Sequence, residues 1–287
     1  MSILDDYYVF CTIDYAYKCA SYVFLESLLM HNDYITVHVH CINFTEDQFA
    51  EYDKFVTDRW HGSVIAVKED MEDIEYPSKQ THYYQRIVNT HGTALLSKCI
   101  IFGRKYKKYM FHLDVDMLIR QNFIEVFKAY EEQLIGNCYY YFAGVFNAGF
   151  LIINAGDVTI GENLHEWLQT YNKNDAVIVD EAYLQSFNFT THYLPTSYCT
   201  VNTYRPRDID TVKVVHFIGD TKPFFPKCVQ KETMCILPYM KEWCDVFDRF
   251  DKEDVKDIYD VVEKNKKEIS KYLDMSIRMY FPQLLNK

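Results

Sequence analysis

Tyr7-Tyr8-Val9-Phe10-Cys11-Thr12, an apolar and aromatic run, gives way to Ala16 to Met30, where Ala16, Cys19, Ala20, Val23, Phe24, Ser27 and Leu28 recur at helical spacing. A short β run feeding a helix is the opening of an α/β domain. Thr36 to Cys41 reads as a second strand, and Thr45-Glu46-Asp47-Gln48 has the form of a capping box that starts a helix through about Thr57. Val64 to Val67 reads as a third strand, Ala94 to Phe102 returns to helical periodicity, and Tyr109 to Leu113 makes a strand that ends in Asp114-Val115-Asp116. This alternation predicts a Rossmann-like, mainly parallel central sheet flanked by helices, with ligands collecting beyond the carboxyl ends of the strands. The two aspartates stand at such an end, where both carboxylates are expected at the surface.

Further along, Gly149 to Asn154 and Lys213 to Phe217 read as strands, and Val158 to Tyr171 and Glu181 to Phe187 as helices. From about Tyr239 the pattern is helical and charged. The expected organisation is therefore a main domain over 1–238 and a C-terminal helical appendage over 239–287. With 49% apolar residues and only 9 Gly and 7 Pro, the chain can build a packed core, which excludes a disordered protein.

A net charge of -11 repels phosphate backbones and excludes non-specific nucleic-acid binding, so a nucleic acid remains conceivable only as a reaction acceptor. The densest basic stretch, Arg104-Lys105-Tyr106-Lys107-Lys108, reads as a solvated helix end. Nine cysteines without a Cys-x-x-Cys pair suit small buried side chains in a reducing compartment. No signal-peptide pattern and no membrane-spanning run is present, so the expected location is the cytoplasm of a cell or of a virus-infected host. Asn43-Phe44-Thr45 and Asn188-Phe189-Thr190 match the glycosylation acceptor pattern, which matters only in a secreted protein. Homodimer formation stays open.

Asp114 and Asp116 flank one residue at a strand terminus, a seat for a hard cation that also binds a diphosphate. A plain surface turn is the alternative. Val214-Val215-His216-Phe217-Ile218-Gly219-Asp220-Thr221-Lys222 places an imidazole at another strand end, followed by a Gly and a Lys. The imidazole suits a metal shell, the Gly lets backbone N–H groups approach phosphate, and the Lys supplies a point charge. A satisfied core histidine is the alternative for His216.

Taken together, these segments resemble the family 8 glycosyltransferases, most closely the glycogenin-like enzymes. Cys11-Thr12-Ile13-Asp14-Tyr15-Ala16-Tyr17 is similar to the uracil- and ribose-holding segment, and Lys98 to the lysine of the helix leading into the metal strand. Phe111 to Asp116 is similar to the metal motif, Phe146-Asn147-Ala148-Gly149-Phe150 to the sugar-side strand, and His216 to Phe224 to the diphosphate loop. The resemblance implies a GT-A type fold and retaining transfer of a hexose or pentose from a UDP-sugar, dependent on Mn²⁺ or Mg²⁺. It implies that Asp114, Asp116 and His216 bind the metal. The donor would be bound by Cys11, Thr12, Asp14, Tyr17, Lys98, Val115, Asn147, Ala148, Gly219 and Lys222, with Asp180 and Glu181 as catalytic positions. For Tyr17 the bland alternative is an aromatic packed at a helix start, and for Asn147 a turn residue.

One position departs from the family's pattern: Asp180-Glu181 stands where Asp-Gln is usual. A carboxylate there could stabilise oxocarbenium charge or act as a nucleophile, and a helix-start glutamate favoured by the dipole is the rival account. Two other classes share part of this pattern. Aspartyl-phosphate phosphatases carry Asp-x-Asp on the first strand, unlike this chain, whereas a non-catalytic nucleotide-sugar-binding relic would draw support from Glu181. Acceptor candidates are an oligosaccharide, a protein tyrosine, a small hydroxylated metabolite or a hydroxymethylated DNA base of a phage or virus. Tyr139-Tyr140-Tyr141 is compatible with the second, although tyrosines are first of all core material.

Overall fold

A computed structural model describes residues 3–72, 82–129, 135–137, 139–140, 145–155, 160–170, 179–187, 192–194, 200–201 and 209–286. In chain order the strands are β1 (Tyr7–Ile13), β2 (Val37–Ile42), β3 (Val64–Glu69), β4 (Tyr109–Leu113), β5 (Met117–Ile119), β6 (Ile135–Asn137), β7 (Tyr139–Tyr140), β8 (Val145–Phe146), β9 (Phe150–Asn154), β10 (His192–Tyr193), β11 (Thr200–Val201) and β12 (Val214–His216). The α-helices are α1 (Lys18–His31), α2 (Glu46–Trp60), α3 (His82–Gly103), α4 (Ile124–Ala129), α5 (Leu164–Thr170), α6 (Val179–Gln185), α7 (Leu237–Phe247) and α8 (Lys256–Tyr280). The chain forms two compact units. One comprises Met1–Lys18, Tyr34–Asp114 and Ile124–Leu194, and the other Cys19–Asp33, Val115–Phe123 and Pro195–Lys287.

The first unit is built on a seven-stranded sheet in the order β10-β6-β9-β4-β1-β2-β3. β4, β1, β2 and β3 run parallel, and β9 is antiparallel to both β4 and β6. β1 is buried along nearly its whole length, as expected for an apolar run in a parallel sheet. The capping box is present: Gln48 N–H donates to Thr45 Oγ1, and Thr45 N–H to Gln48 Oε1. α2 ends at His61 (φ 43°) and Gly62 (φ 86°), a left-handed exit that stops the helix.

Phe10, Leu96, Phe102, Met110, Leu151 and Tyr183 belong to the core of this unit. Helix packing here is close enough to require glycine, since a Cβ on Gly103 would lie 2.3 Å from the Ile160 carbonyl oxygen. Gly103→Ala is therefore expected to cost about 1–3 kcal/mol, the usual range for overpacking. Gly62→Ala, with nothing within 4 Å of its Cβ, should cost only about 1 kcal/mol through its positive φ. Urea unfolding of the two variants checks the ordering, and equal losses would refute the packing account.

α3 begins at His82 rather than near Ala94, because its first turns carry aromatic and polar residues without an apolar stripe. Arg104, at the helix end read as solvated, is exposed, and its Nη2 donates to Glu69 Oε2 at 2.8 Å. The expected helix from Val158 to Tyr171 is described from Leu164 to Thr170. Residues 160–163 form a turn instead, while Val158, Thr159 and Tyr171 lie outside the described residues, as do Tyr141 and the Asn188-Phe189-Thr190 pattern.

The second unit contains the three-stranded sheet β11-β12-β5, in which β12 runs antiparallel to β5. Arg120 fixes the end of β5: Nη1 donates to the carbonyls of Ile209 (2.6 Å) and Val212 (2.8 Å), while Nε and Nη2 engage the Glu242 carboxylate of α7. The Ile119 amide donates to Ser27 Oγ of α1 at 3.2 Å. Trp243 and Phe247 stack within α7, and Asn265 of α8 donates from Nδ2 to the carbonyls of Pro223 and Phe225. This last contact holds the segment after β12 in place. Among the described residues, no helix is long and apolar enough to cross a membrane.

Candidate functional site

Register brings the first group of residues together. β1 and β4 are parallel, so Cys11 to Asp14 and Asp114 emerge at the same sheet edge. β9 returns antiparallel to β4 with Leu113 opposite Phe150, so Asn147-Ala148-Gly149 precedes β9 at that edge too, and the Asp114 amide donates to Gly149 O at 2.7 Å. The edge predicted from sequence is the one the chain forms.

Lys98 of α3 is 1% exposed, and its Nζ lies 3.1 Å from Asp114 Oδ1 and 3.0 Å from Asp180 Oδ2. Burial alone would lower the Lys98 pKa, but the two carboxylates outweigh it and hold the ammonium charged, well above the ordinary lysine range. Asp180, also buried, keeps its second oxygen, Oδ1, without a hydrogen-bond partner among the described residues. Asn147 is buried as well: its Oδ1 accepts from the Gly149 amide (2.9 Å) and its Nδ2 donates to Glu181 Oε1 (3.3 Å). It is more than a turn residue, since both ends of its amide are used. Glu181 is 4% exposed, and burial together with the neighbouring Asp180 raises its carboxyl well above the usual range.

Around these, Asp14 caps the short 3-10 turn Tyr15–Tyr17 by accepting from the Tyr17 amide at 3.2 Å, and Tyr17 is half-buried. Thr12 Oγ1 donates to the Ala94 carbonyl. Cys11 and Ala148 are fully buried, and burial reinforced by Asp114 raises the Cys11 thiol so that it stays neutral. His112, within the Phe111 to Asp116 segment, lies buried with Nδ1 3.3 Å from the Ala148 carbonyl and Nε2 3.7 Å from Asp114 Oδ1. Strand alternation on β4 was the signal available for it, but alternation marks a face and not a partner.

The second group lies within the other unit. Because β5 pairs antiparallel with β12, Met117 faces His216, and the Phe217 amide donates to the Asp116 carbonyl at 2.9 Å. Asp116 Oδ2 is 2.6 Å from Lys222 Nζ, and its Oδ1 is 3.0 Å from His216 Nε2. Burial would raise the Asp116 carboxyl, but Lys222 and His216 together hold it below the usual carboxylate range. Gly219 takes φ +61° in the turn between His216 and Lys222, a conformation that favours glycine. Val115 is buried. The expectation of a surface carboxylate pair is corrected for Asp116, which is 8% exposed because the pairing of β5 with β12 folds it inward.

These donors suit a hard divalent ion. Asp116 Oδ1 and His216 Nε2 are at contact distance, yet among the described residues Oδ1 has no aligned hydrogen bond. Two atoms bound about 2.1 Å from one octahedral ion stand about 3 Å apart, so the 3.0 Å spacing is that of neighbouring ligands. Asp114 stands two positions before Asp116 along the chain.

A mainly parallel sheet with an Asp-x-Asp turn at a strand end is the architecture of GT-A fold glycosyltransferases. The model of Glycosyl transferase family 8 matches residues 8–227, and the chain belongs to that family. In structure it is similar to the galactosyltransferase LgtC in complex with donor and acceptor sugar analogues (TM-score 0.64, 16% identity, covering 84% of this chain and 95% of LgtC). It is similar also to the glycosyltransferase GlyE of Streptococcus pneumoniae TIGR4 (TM-score 0.59, 18% identity, 86% of this chain and 64% of GlyE). A third similar structure is the bifunctional glycosyltransferase WbbM (TM-score 0.61, 12% identity, 88% of this chain and 51% of WbbM). The chain thus spans less than two thirds of the latter two. No curated protein sequence matches it significantly.

Proposed function

We propose that this glycosyltransferase moves a hexose or pentose from a UDP-sugar to a hydroxyl acceptor with retention, using Mn²⁺ or Mg²⁺ held by Asp114, Asp116 and His216. The observation that carries this reading is the 3.0 Å approach of Asp116 Oδ1 to His216 Nε2, the spacing of two neighbouring ligands on one ion. Bound there, the ion supplies charge neutralisation for a departing diphosphate. Lys222, already beside Asp116, adds a positive charge for the same group, and Gly219 opens backbone N–H groups to it. Asp14, positioned by its cap on Tyr17, would pair with the uracil edge while Tyr17 packs near the base. Cys11, Thr12, Val115 and Ala148 would shape the nucleoside pocket.

Lys98 orients Asp114 and Asp180 by pairing with both, which leaves Asp180 Oδ1 to accept from a sugar hydroxyl beside Asn147. Asp180 and Glu181 are the positions proposed next to the anomeric carbon. Similarity to a galactosyltransferase solved with sugar analogues favours a saccharide hydroxyl as acceptor. The seven described cysteines are buried free thiols, which supports a reducing location such as the cytoplasm.

His216→Ala is expected to weaken Mn²⁺-dependent UDP binding by about tenfold, since both carboxylates remain to hold the ion. Titration calorimetry with and without Mn²⁺ measures it. A variant that unfolds while its residual folded fraction binds normally would return His216 to the role of a core histidine.

A further inference from the structure

We propose that Glu181 stands in the site as a neutral carboxylic acid, serving as a hydrogen-bond donor to the bound sugar and not as a carboxylate nucleophile. Asp180 and Glu181 stand side by side on α6 near one buried cation, Lys98, whose Nζ is already engaged with Asp180 Oδ2 and Asp114 Oδ1. Among the described residues, Glu181 makes no ion pair of its own. The groups facing it are Asp180 on its own helix α6, Lys98 on α3, Asp114 after β4, and the Asn147 amide and Ala148 backbone before β9. A second buried negative charge directly beside Asp180 is opposed by both desolvation and like-charge repulsion.

Two neutral donors, Asn147 Nδ2 at 3.3 Å and the Ala148 amide, favour the ionised form, and Lys98 acts in the same direction. They do not reverse the balance, because the Asn147 contact is long and Lys98 is already shared by two other carboxylates. Burial, the largest influence, holds the Glu181 carboxyl well above the usual range. With one oxygen accepting from Asn147, a protonated carboxyl presents one acceptor and one O–H donor, the same pair that an amide offers. An acid kept neutral by its surroundings thus does the work of an amide.

This inference rests on the placement of Glu181 at the sugar site, but its test needs no activity, so its failure and the failure of that placement are distinguishable. A buried acid that is protonated when folded and ionised when unfolded binds one more proton in the native state, so stability is full below the unfolded carboxyl range and falls as pH rises toward the folded pKa. Relative to Glu181→Gln, the folding equilibrium constant of the natural protein should fall by up to about tenfold per pH unit as pH rises from the unfolded carboxyl range toward the raised folded one. Other titrating groups cancel in the difference. Urea unfolding of both proteins across that range measures it, and a difference that does not change with pH would show an ionised Glu181 and overturn the proposal.

Should Glu181→Gln fail to fold, ¹³C NMR of the natural protein labelled at the glutamate carboxyl carbons answers the same question. One resonance should keep the protonated-acid shift at a pH where the other glutamates have ionised, and a full set of carboxylate shifts there would contradict the assignment. The donor role has its own readout. Turnover with a UDP-sugar should fall on the alkaline side as Glu181 ionises, and Glu181→Gln should remove that limb from the pH profile; an unaltered limb would separate Glu181 from the bound sugar.

Discussion

Asp116→Ala is expected to reduce Mn²⁺-dependent UDP binding at least about a hundredfold, more than any other single change at the proposed metal site. Its carboxylate meets His216 on one oxygen and Lys222 on the other, so its removal leaves an imidazole and an ammonium without the anion that offsets them. A divalent cation has no reason to enter such a place. Because Asp116 is buried and paired, the same change should also cost about 1–3 kcal/mol of stability, through loss of charged hydrogen-bond partners in the second unit. Stability and binding can be separated by measuring UDP affinity well below the melting temperature, with Mn²⁺ and with a chelator. Equal affinities for the variant and the natural protein in Mn²⁺ would remove Asp116 from the metal site.

Lys98→Met should be the most destabilising of these substitutions, at about 3–5 kcal/mol, because it leaves Asp114 and Asp180 without their buried counter-charge. For a chain of this size that corresponds to a melting temperature lower by on the order of 10 °C. Thermal melts of both proteins test this, and a loss under about 1 kcal/mol would mean that the Lys98 pairs contribute little.

Much of this arrangement was legible in the residues. Tyr7 to Thr12 and Tyr109 to Leu113 are long enough for their apolar character to mark parallel strands, and the Thr45 and Gln48 capping box marks the start of α2 to within one residue. Short elements were not legible. β5 holds three residues, too few for a period of two to emerge, yet it is β5 that turns Asp116 inward to meet His216 and Lys222. For the same reason the sequence placed Asp116 at the surface. Lys98 could be picked out by motif, but its second partner, Asp180, lies far along the chain, and only the packing of α3 with α6 shows that one ammonium serves two carboxylates. The consequence for Glu181 follows from that count and was hidden with it.

The most direct test of the central claim is to incubate the purified protein with a panel of UDP-sugars in Mn²⁺ and to follow UDP release and acceptor mass by mass spectrometry. UDP should accumulate from at least one donor, stop on chelation, resume when Mn²⁺ is restored, and be lost in Asp116→Ala. No UDP release from any UDP-sugar in Mn²⁺ or Mg²⁺, with a saccharide mixture present as acceptor, would contradict it.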